Sequence, residues 1–276
     1  MVRRHTESAT GRKHGDRHRG WYGDANDARQ ERRKRQQGTG VTHGAANRRN
    51  KMPAYAYILQ RDGQYGVLTS WDDVIELRKQ KKGMFVSRKF NTSDEAWTKI
   101  KHAMRPYEGG PIAFVDGSGD DDMFSAGAGV CLLMDGLGTK PTYEIAIPVR
   151  SGDGTPQGQI PGEFAAATIA LKKAERLGAK SLLIVHDYIG IMAVAEGLYA
   201  TKSGISAIWM GAVQAARIQG MDIRFKHVYS HEGVTDDWTR GNDRVDKLAK
   251  LAKSGAIVGP WHVERIPELD GWISVR

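Results

Sequence analysis

Two short apolar runs that each end in aspartate, IAFVD at 112–116 and LLIVHD at 182–187, constrain the fold of this chain most. Both are too short for a stable helix and apolar almost throughout, the signature of strands buried on both faces. Strands of this kind, placed side by side and parallel, release both carboxylates at one sheet edge, where α/β folds bind ligands. SAGAGVCLLMD and PTYEIAIPVR read as two further strands with short connections, suiting an antiparallel meander. Pro161 and Gly178 frame the helix GEFAAATIALKKAERL, and helical stretches are expected over 188–199 and 204–219. MDIRFKHVY is the last strand and GNDRVDKLAKLAK the last clear helix. The order βββαβαβα predicts an α/β domain, a mixed five-stranded sheet with helices on both faces.

A smaller unit precedes it. AYAYILQ and YGVLTS are short strands meeting at Asp62-Gly63, a hairpin signal. Ser70 caps the helix WDDVIELRKQ, GMFVSRKF is a third strand, and Thr92 with Glu95 forms a capping box opening SDEAWTKIKHAM. The sequence therefore divides into a tail over 1–52, a small ββαβα domain over 53–104, a linker over 105–110, an α/β domain over 111–255 and an extension over 256–276.

Charge separates the tail from the rest. Residues 1–50 hold thirteen Lys/Arg against five Asp/Glu, eight of the nine net positive charges of the chain. This segment has almost no aliphatic side chains, too little apolar area to offset its ordering entropy, and is expected to be disordered. A basic arm of that kind favours polyanions through counterion release, without reading sequence. No run of about eighteen apolar residues occurs, so no membrane span is expected. A single cysteine, Cys131, excludes an internal disulfide and a thiolate zinc site, and a soluble, cytoplasmic protein is expected.

Asp116 and Asp187 close the two apolar strands, and Glu163 lies in the first turn of the helix between them. The last helix offers two acids. At about 100° per residue, Val245, Leu248, Ala249 and Ala252 form its apolar stripe. Asp246 borders that stripe in line with Asn242, whereas Asp243 points away and faces Lys247. Asp246 is thus the better ligand. Hard carboxylates without a His pair suit Mg²⁺ or Mn²⁺ rather than zinc, and a pair of such ions about 4 Å apart can activate water at phosphorus. Asp120, Asp121 and Asp122 sit in a Gly-rich loop and read as a solvated turn.

With these residues in place, 111–253 resembles the type 1 ribonuclease H family. The likeness rests on VDGS, GEFAAATIAL, HDYIGI, and SHEG followed by NDRVDKLAK, in that order and with similar spacing. The resemblance implies a ribonuclease H-like fold. It also implies a metal-dependent endonuclease that hydrolyses the RNA strand of RNA–DNA hybrids, leaving 5′-phosphate and 3′-hydroxyl ends. Asp116, Glu163, Asp187 and Asp246 would hold two Mg²⁺ ions, with Mn²⁺ as a substitute, and His231 would assist protonation or product release. Gln159 and Asn242 match positions for 2′-hydroxyl contacts; Gly117, Ser118 and Gly119 match close backbone contacts. In place of the family's Asn-Pro after the first Gly stands GSGDDD.

Residues 55–104 resemble the hybrid-binding, viroplasmin-like module that precedes many such enzymes. Tyr57, the Gly63/Gly66 hairpin, Ser70-Trp71 and FNTSDEAW carry the likeness. It implies that Tyr57 and Trp71 stack on deoxyriboses and that Arg88 and Lys89 meet phosphates; Phe85 or Ser87 corresponds to a third stacking position. The implied partners are an RNA–DNA hybrid and, through the front domain, double-stranded RNA, with a monomeric chain. Two other classes share these features: a hybrid-binding protein with a degenerate site, and a DNA-acting nuclease or transposase of the same fold.

Overall fold

The computed structural model describes residues 52–60, 63–120, 125–150, 158–229, 236–259 and 266–273. The basic tail, Asp121, Asp122 and His231 lie outside the described residues.

In the front part, β1 (Tyr55–Leu59) is the central strand of a three-stranded antiparallel sheet between β2 (Gln64–Leu68) and β3 (Met84–Val86). Ala54, Ala56 and Ile58 alternate inward and are buried, which leaves Tyr55 and Tyr57 together on the outer face. Two helices follow the predicted caps. Ser70 accepts from the amides of Asp72 and Asp73 to start α1 (Trp71–Gln80), and Thr92 accepts from that of Glu95 to start α2 (Ser93–Ala103).

The larger part is the mixed sheet the sequence predicts, with helices on both faces. Its strands are β4 (Ile112–Gly119), β5 (Ser125–Leu133), β6 (Tyr143–Arg150), β7 (Ser181–His186) and β8 (Asp222–His227), in the spatial order β6-β5-β4-β7-β8. The pairs β4–β5 and β5–β6 are antiparallel, and β4–β7 and β7–β8 parallel. The helices are α3 (Ile160–Arg176), α4 (Gly190–Ala195), α5 (Gly204–Ile218) and α6 (Asp237–Lys253).

Alternation along β5 sorts the helices onto the two faces. Ala126, Ala128, Val130 and Leu132 join α3 and α5 in one core, while Cys131 and Leu133 join Val245, Leu248 and Ala252 of α6 in another. On the α6 face the next positions along β5 are glycines, and there the helix backbone comes close. A Cβ on Gly127 would stand 2.0 Å from Ala249 O, and one on Gly129 would stand 2.4 Å from Val245 O. Small residues thus let α6 lie directly on the strand.

Two local expectations change, and the extension finds its place. The helix foreseen over 188–199 shrinks to Gly190–Ala195, because the chain must turn to bury Leu198. The last helix begins at Asp237 rather than at Gly241, since the side chain of Asp236 accepts from the amide of Thr239 and caps it earlier. Gly241 is then interior to α6, where a Cβ would stand 2.2 Å from the Phe114 ring. The extension closes the edge of β6. Val258 bridges Ala146, Ile273 bridges Val149, and Leu269 and Trp272 enter the core of the α3 face. Covering an edge strand in this way blocks pairing with other chains.

Residues Arg49–Arg276 form one compact unit. Phe85, Phe90 and Ile100 of the front part share a buried cluster with Met192, Ala193 and Leu198 of the larger part.

Candidate metal centre

The parallel register of β4 and β7 ends with Phe114 opposite Val185. Two residues further along each chain stand Asp116 and Asp187, so the pairing predicted from the apolar runs brings both acids to one edge. Glu163 arrives from above. A Cβ on Gly117 would stand 2.3 Å from Glu163 N, and only a glycine lets the first turn of α3 approach β4 so closely. Carboxylate oxygens of Asp116, Glu163 and Asp187 lie within 4.8 Å of one another.

Burial makes this grouping costly without a cation. Glu163 is 0% exposed and neither of its carboxylate oxygens has a hydrogen-bond partner. Asp116 is also buried; its Oδ1 accepts from the amide of Gly117 at 2.8 Å. Burial, then the charges of Asp187 and Asp246, push the Asp116 carboxyl up to about 8. Burial and the Asp116 and Asp187 charges likewise hold Glu163 well above the usual carboxylate range. A buried carboxylate with both oxygens unpartnered, beside two more acids, fits a hard divalent cation.

Asp246 is near enough to raise Asp116 but stands outside the close group of three. Its Oδ2 accepts from Lys250 Nζ at 2.7 Å, one helical turn along α6. Behind Asp187, His227 Nε2 donates to the Asp187 main-chain oxygen at 2.8 Å. His186, opposite His227 in the β7–β8 register, is fully buried, and desolvation holds its ring well below the ordinary imidazole range. This histidine pair is not among the expected residues; its signal in the sequence is the matching His-Asp and Lys-His ends of two parallel strands.

The other expected residues are scattered around the centre. Gln159 is the exposed N-cap of α3, and its main-chain oxygen accepts from Glu163 N. Gly117 is buried with its amide committed to Asp116, Ser118 is half-buried, and Gly119 packs against Gly158. Asn242 is 2% exposed with Oδ1 unpartnered.

In the front part, Trp71 is 46% exposed and packs on Tyr55, with ring centroids 5.1 Å apart, and Arg78 lies over its ring. Tyr57 is half-buried, with its ring over Gly66. The direct ring partner of Trp71 is therefore Tyr55, a residue not singled out from the sequence although it shares the outward phase of Tyr57. Phe85 is buried against Tyr199 and Ser87 donates to the Arg88 carbonyl, so neither offers a free stacking face. Lys89 is exposed; Arg88 is exposed too, but its Nε donates to Gly197 O.

The fold and this edge define an α/β domain with a buried acidic group suited to divalent cations. No family model and no curated protein matches the chain. Among solved structures it is similar to ribonuclease H1 from the halophilic archaeon Halobacterium salinarum NRC-1, with 19% identity, 54% of this chain and 100% of that chain covered, and a TM-score of 0.42. It is similar to the N-terminal RNase H domain of a Mycobacterium tuberculosis protein, at 18% identity, 52% and 94% coverage and a TM-score of 0.42. A third is LC11-RNase H1 in complex with an RNA/DNA hybrid, at 17% identity, 52% and 97% coverage and a TM-score of 0.42.

Proposed function

We propose that the chain is a type 1 ribonuclease H that cuts the RNA strand of RNA–DNA hybrids, leaving 5′-phosphate and 3′-hydroxyl ends. The observation that carries this reading is Glu163, fully buried with both oxygens unpartnered inside a group of three acids. Asp116, Glu163 and Asp187, with Asp246 at the rim, would hold two Mg²⁺ ions, for which Mn²⁺ can substitute. When bound, such cations activate a water and stabilise charge on the phosphate and leaving oxygens.

The chain's own residues do the rest. Asp116 and Glu163, whose carboxyls are held above the usual carboxylate range, would be the groups to release protons when a cation binds. His227 fixes the Asp187 backbone from behind. Gln159, exposed one turn before Glu163, would meet a 2′-hydroxyl, the group that distinguishes RNA from DNA. His231 is assigned to proton delivery or product release. Trp71 with Tyr55 and Tyr57 would supply stacking surface, and Lys89 a phosphate contact, for a hybrid or double-stranded RNA.

The test is cleavage of end-labelled RNA, free, paired to RNA and paired to DNA, and of end-labelled duplex DNA, with Mg²⁺ or Mn²⁺. Cutting confined to the RNA–DNA hybrid and abolished by Asp116→Asn is the expected result. Equal cleavage of duplex DNA would assign the fold to a DNA-acting enzyme, and hybrid binding without cutting would make the chain a binding protein.

A further inference from the structure

The sheet opens at the level of the acids. β4 stays paired with β5 as far as Gly119, but its pairing with β7 stops at Phe114 and Val185. A continued parallel ladder would bring the Gly117 amide to the Asp187 carbonyl. That amide instead donates to Asp116 Oδ1 at 2.8 Å. The Asp187 carbonyl accepts from the side chain of His227, whose Nε2 lies at 2.8 Å. β8 delivers the imidazole, since its pairing with β7 runs to His186 and His227 and Val228 N still donates to His186 O at 2.9 Å. A side chain thus takes the place of a ladder bond at the acid that follows β7.

The ring is held for this bond. His186 and Tyr229 meet it edge-on, with centroids 5.7 and 5.1 Å away and interplanar angles of 70° and 88°. A carbonyl can only accept, so the bonded Nε2 carries a proton. Nδ1 is buried without a hydrogen-bond partner, a cost that a hydrocarbon ring of similar size would not carry. What the imidazole offers over such a ring is the bond to Asp187. The Asp187 carboxylate has an oxygen within 4.8 Å of those of Asp116 and Glu163 and is only a Cβ away from its own Cα, so a shift of the main chain carries it along.

We propose that His227 is a positioning residue for the metal centre. By holding the Asp187 carbonyl where the ladder has opened, it sets the place of the Asp187 carboxylate and so the affinity of the three acids for a divalent cation. The inference rests on the metal-dependent reading above and assigns cation affinity to a residue outside the ligand set. Outer partners of this kind change metal affinity by about 10–100-fold.

The test is Mn²⁺ binding by the full metal-free chain, followed by loss of the free-ion electron paramagnetic resonance signal and independent of cleavage. His227→Phe keeps a ring and His227→Met an unbranched chain, and neither donates; His227→Gln does. Both donor-free variants should bind Mn²⁺ about tenfold or more weaker than the wild type, and His227→Gln within about threefold of it. Circular dichroism checks folding, and one folded donor-free variant suffices. A folded donor-free variant that binds like the wild type overturns the positioning role alone, as does His227→Gln if it is as weak as the others. Loss of folding in both donor-free variants also overturns it, because the bond would then serve the fold. Wild-type protein that binds no Mn²⁺ at millimolar concentration overturns the metal-dependent reading as well.

Discussion

The carboxylate of Glu196, which closes α4, meets His102 of α2 at 2.6 Å across the joint between the two parts of the molecule. Arg217 completes the pair from the other side. A carboxylate this deeply buried is tolerable because both partners are present, and removing one leaves a poorly compensated charge.

Deletion of residues 1–104 is therefore expected to destabilise the larger part as well as weaken substrate binding. It would uncover Met192, Ala193 and Leu198 and strip His102 from Glu196. A front domain joined to the rest only through the 105–110 linker would leave the stability of the remainder intact. A melting temperature of the truncated protein lower by several degrees, read by circular dichroism, distinguishes the two; an unchanged melt would show the joint to be dispensable. In the full chain, His102→Ala should cost on the order of 1–3 kcal/mol, measured by urea denaturation.

The metal-free protein should lose stability as the pH rises. Asp116 has a folded-state value of about 8 against an ordinary 3.8. Its raised value means that its contribution is fully present below pH 4 and is lost as the pH climbs through 8. Mg²⁺ should accordingly raise the melting temperature more at pH 8.5 than at pH 6, because loading replaces the protons. Asp116→Asn should flatten the slope of the metal-free protein between these pH values. A wild-type melt independent of pH over this window would contradict the account.

Lys250 acts as the counter-charge of Asp246 at the rim of the acid group. Lys250→Ala should tighten Mg²⁺ binding several-fold in calorimetry, since it removes a positive charge that also reaches Asp116. As an exposed i,i+4 pair, it should contribute only about 0.5 kcal/mol or less to stability. Weaker Mg²⁺ binding by the variant would instead make Lys250 a support of the site.

Gly129→Ala should separate packing from chemistry. The new methyl would stand 2.4 Å from Val245 O and 2.7 Å from Ala249 N, so α6 must move off the sheet. Overpacking of this kind costs typically about 1–3 kcal/mol. It carries Asp246 away from Asp116, and hybrid cleavage should fall more than the melting temperature suggests. An equal loss of both would mean that Asp246 is not positioned by this contact.

Much is legible in the sequence alone. The apolar runs IAFVD and LLIVHD already implied parallel neighbours with acids at one edge, because side-chain hydrophobicity alone specifies a doubly buried strand. Caps at Ser70 and Thr92 act over three residues and were equally plain. The start of α6 was missed because GNDRV resembles a helix start, while Asp236, the actual cap, sits in a polar stretch with several alternatives. Asn242 shares a helix line with Asp246 yet is 2% exposed. Periodicity gives an angle around a helix and says nothing of how deep the helix lies on its sheet.

What the sequence by itself determined is local: the strands, the caps, the glycines, and the identity of the acids that can share a cation. Only the tertiary structure decided which acids stand close and which stands at the rim, since that depends on α6 settling on Gly127 and Gly129. It also decided that the front part is fastened to the rest. Glu196, His102, Arg88 and Gly197 carry no joint signal in sequence, because their ties run between residues 94 and 109 positions apart and arise from packing alone.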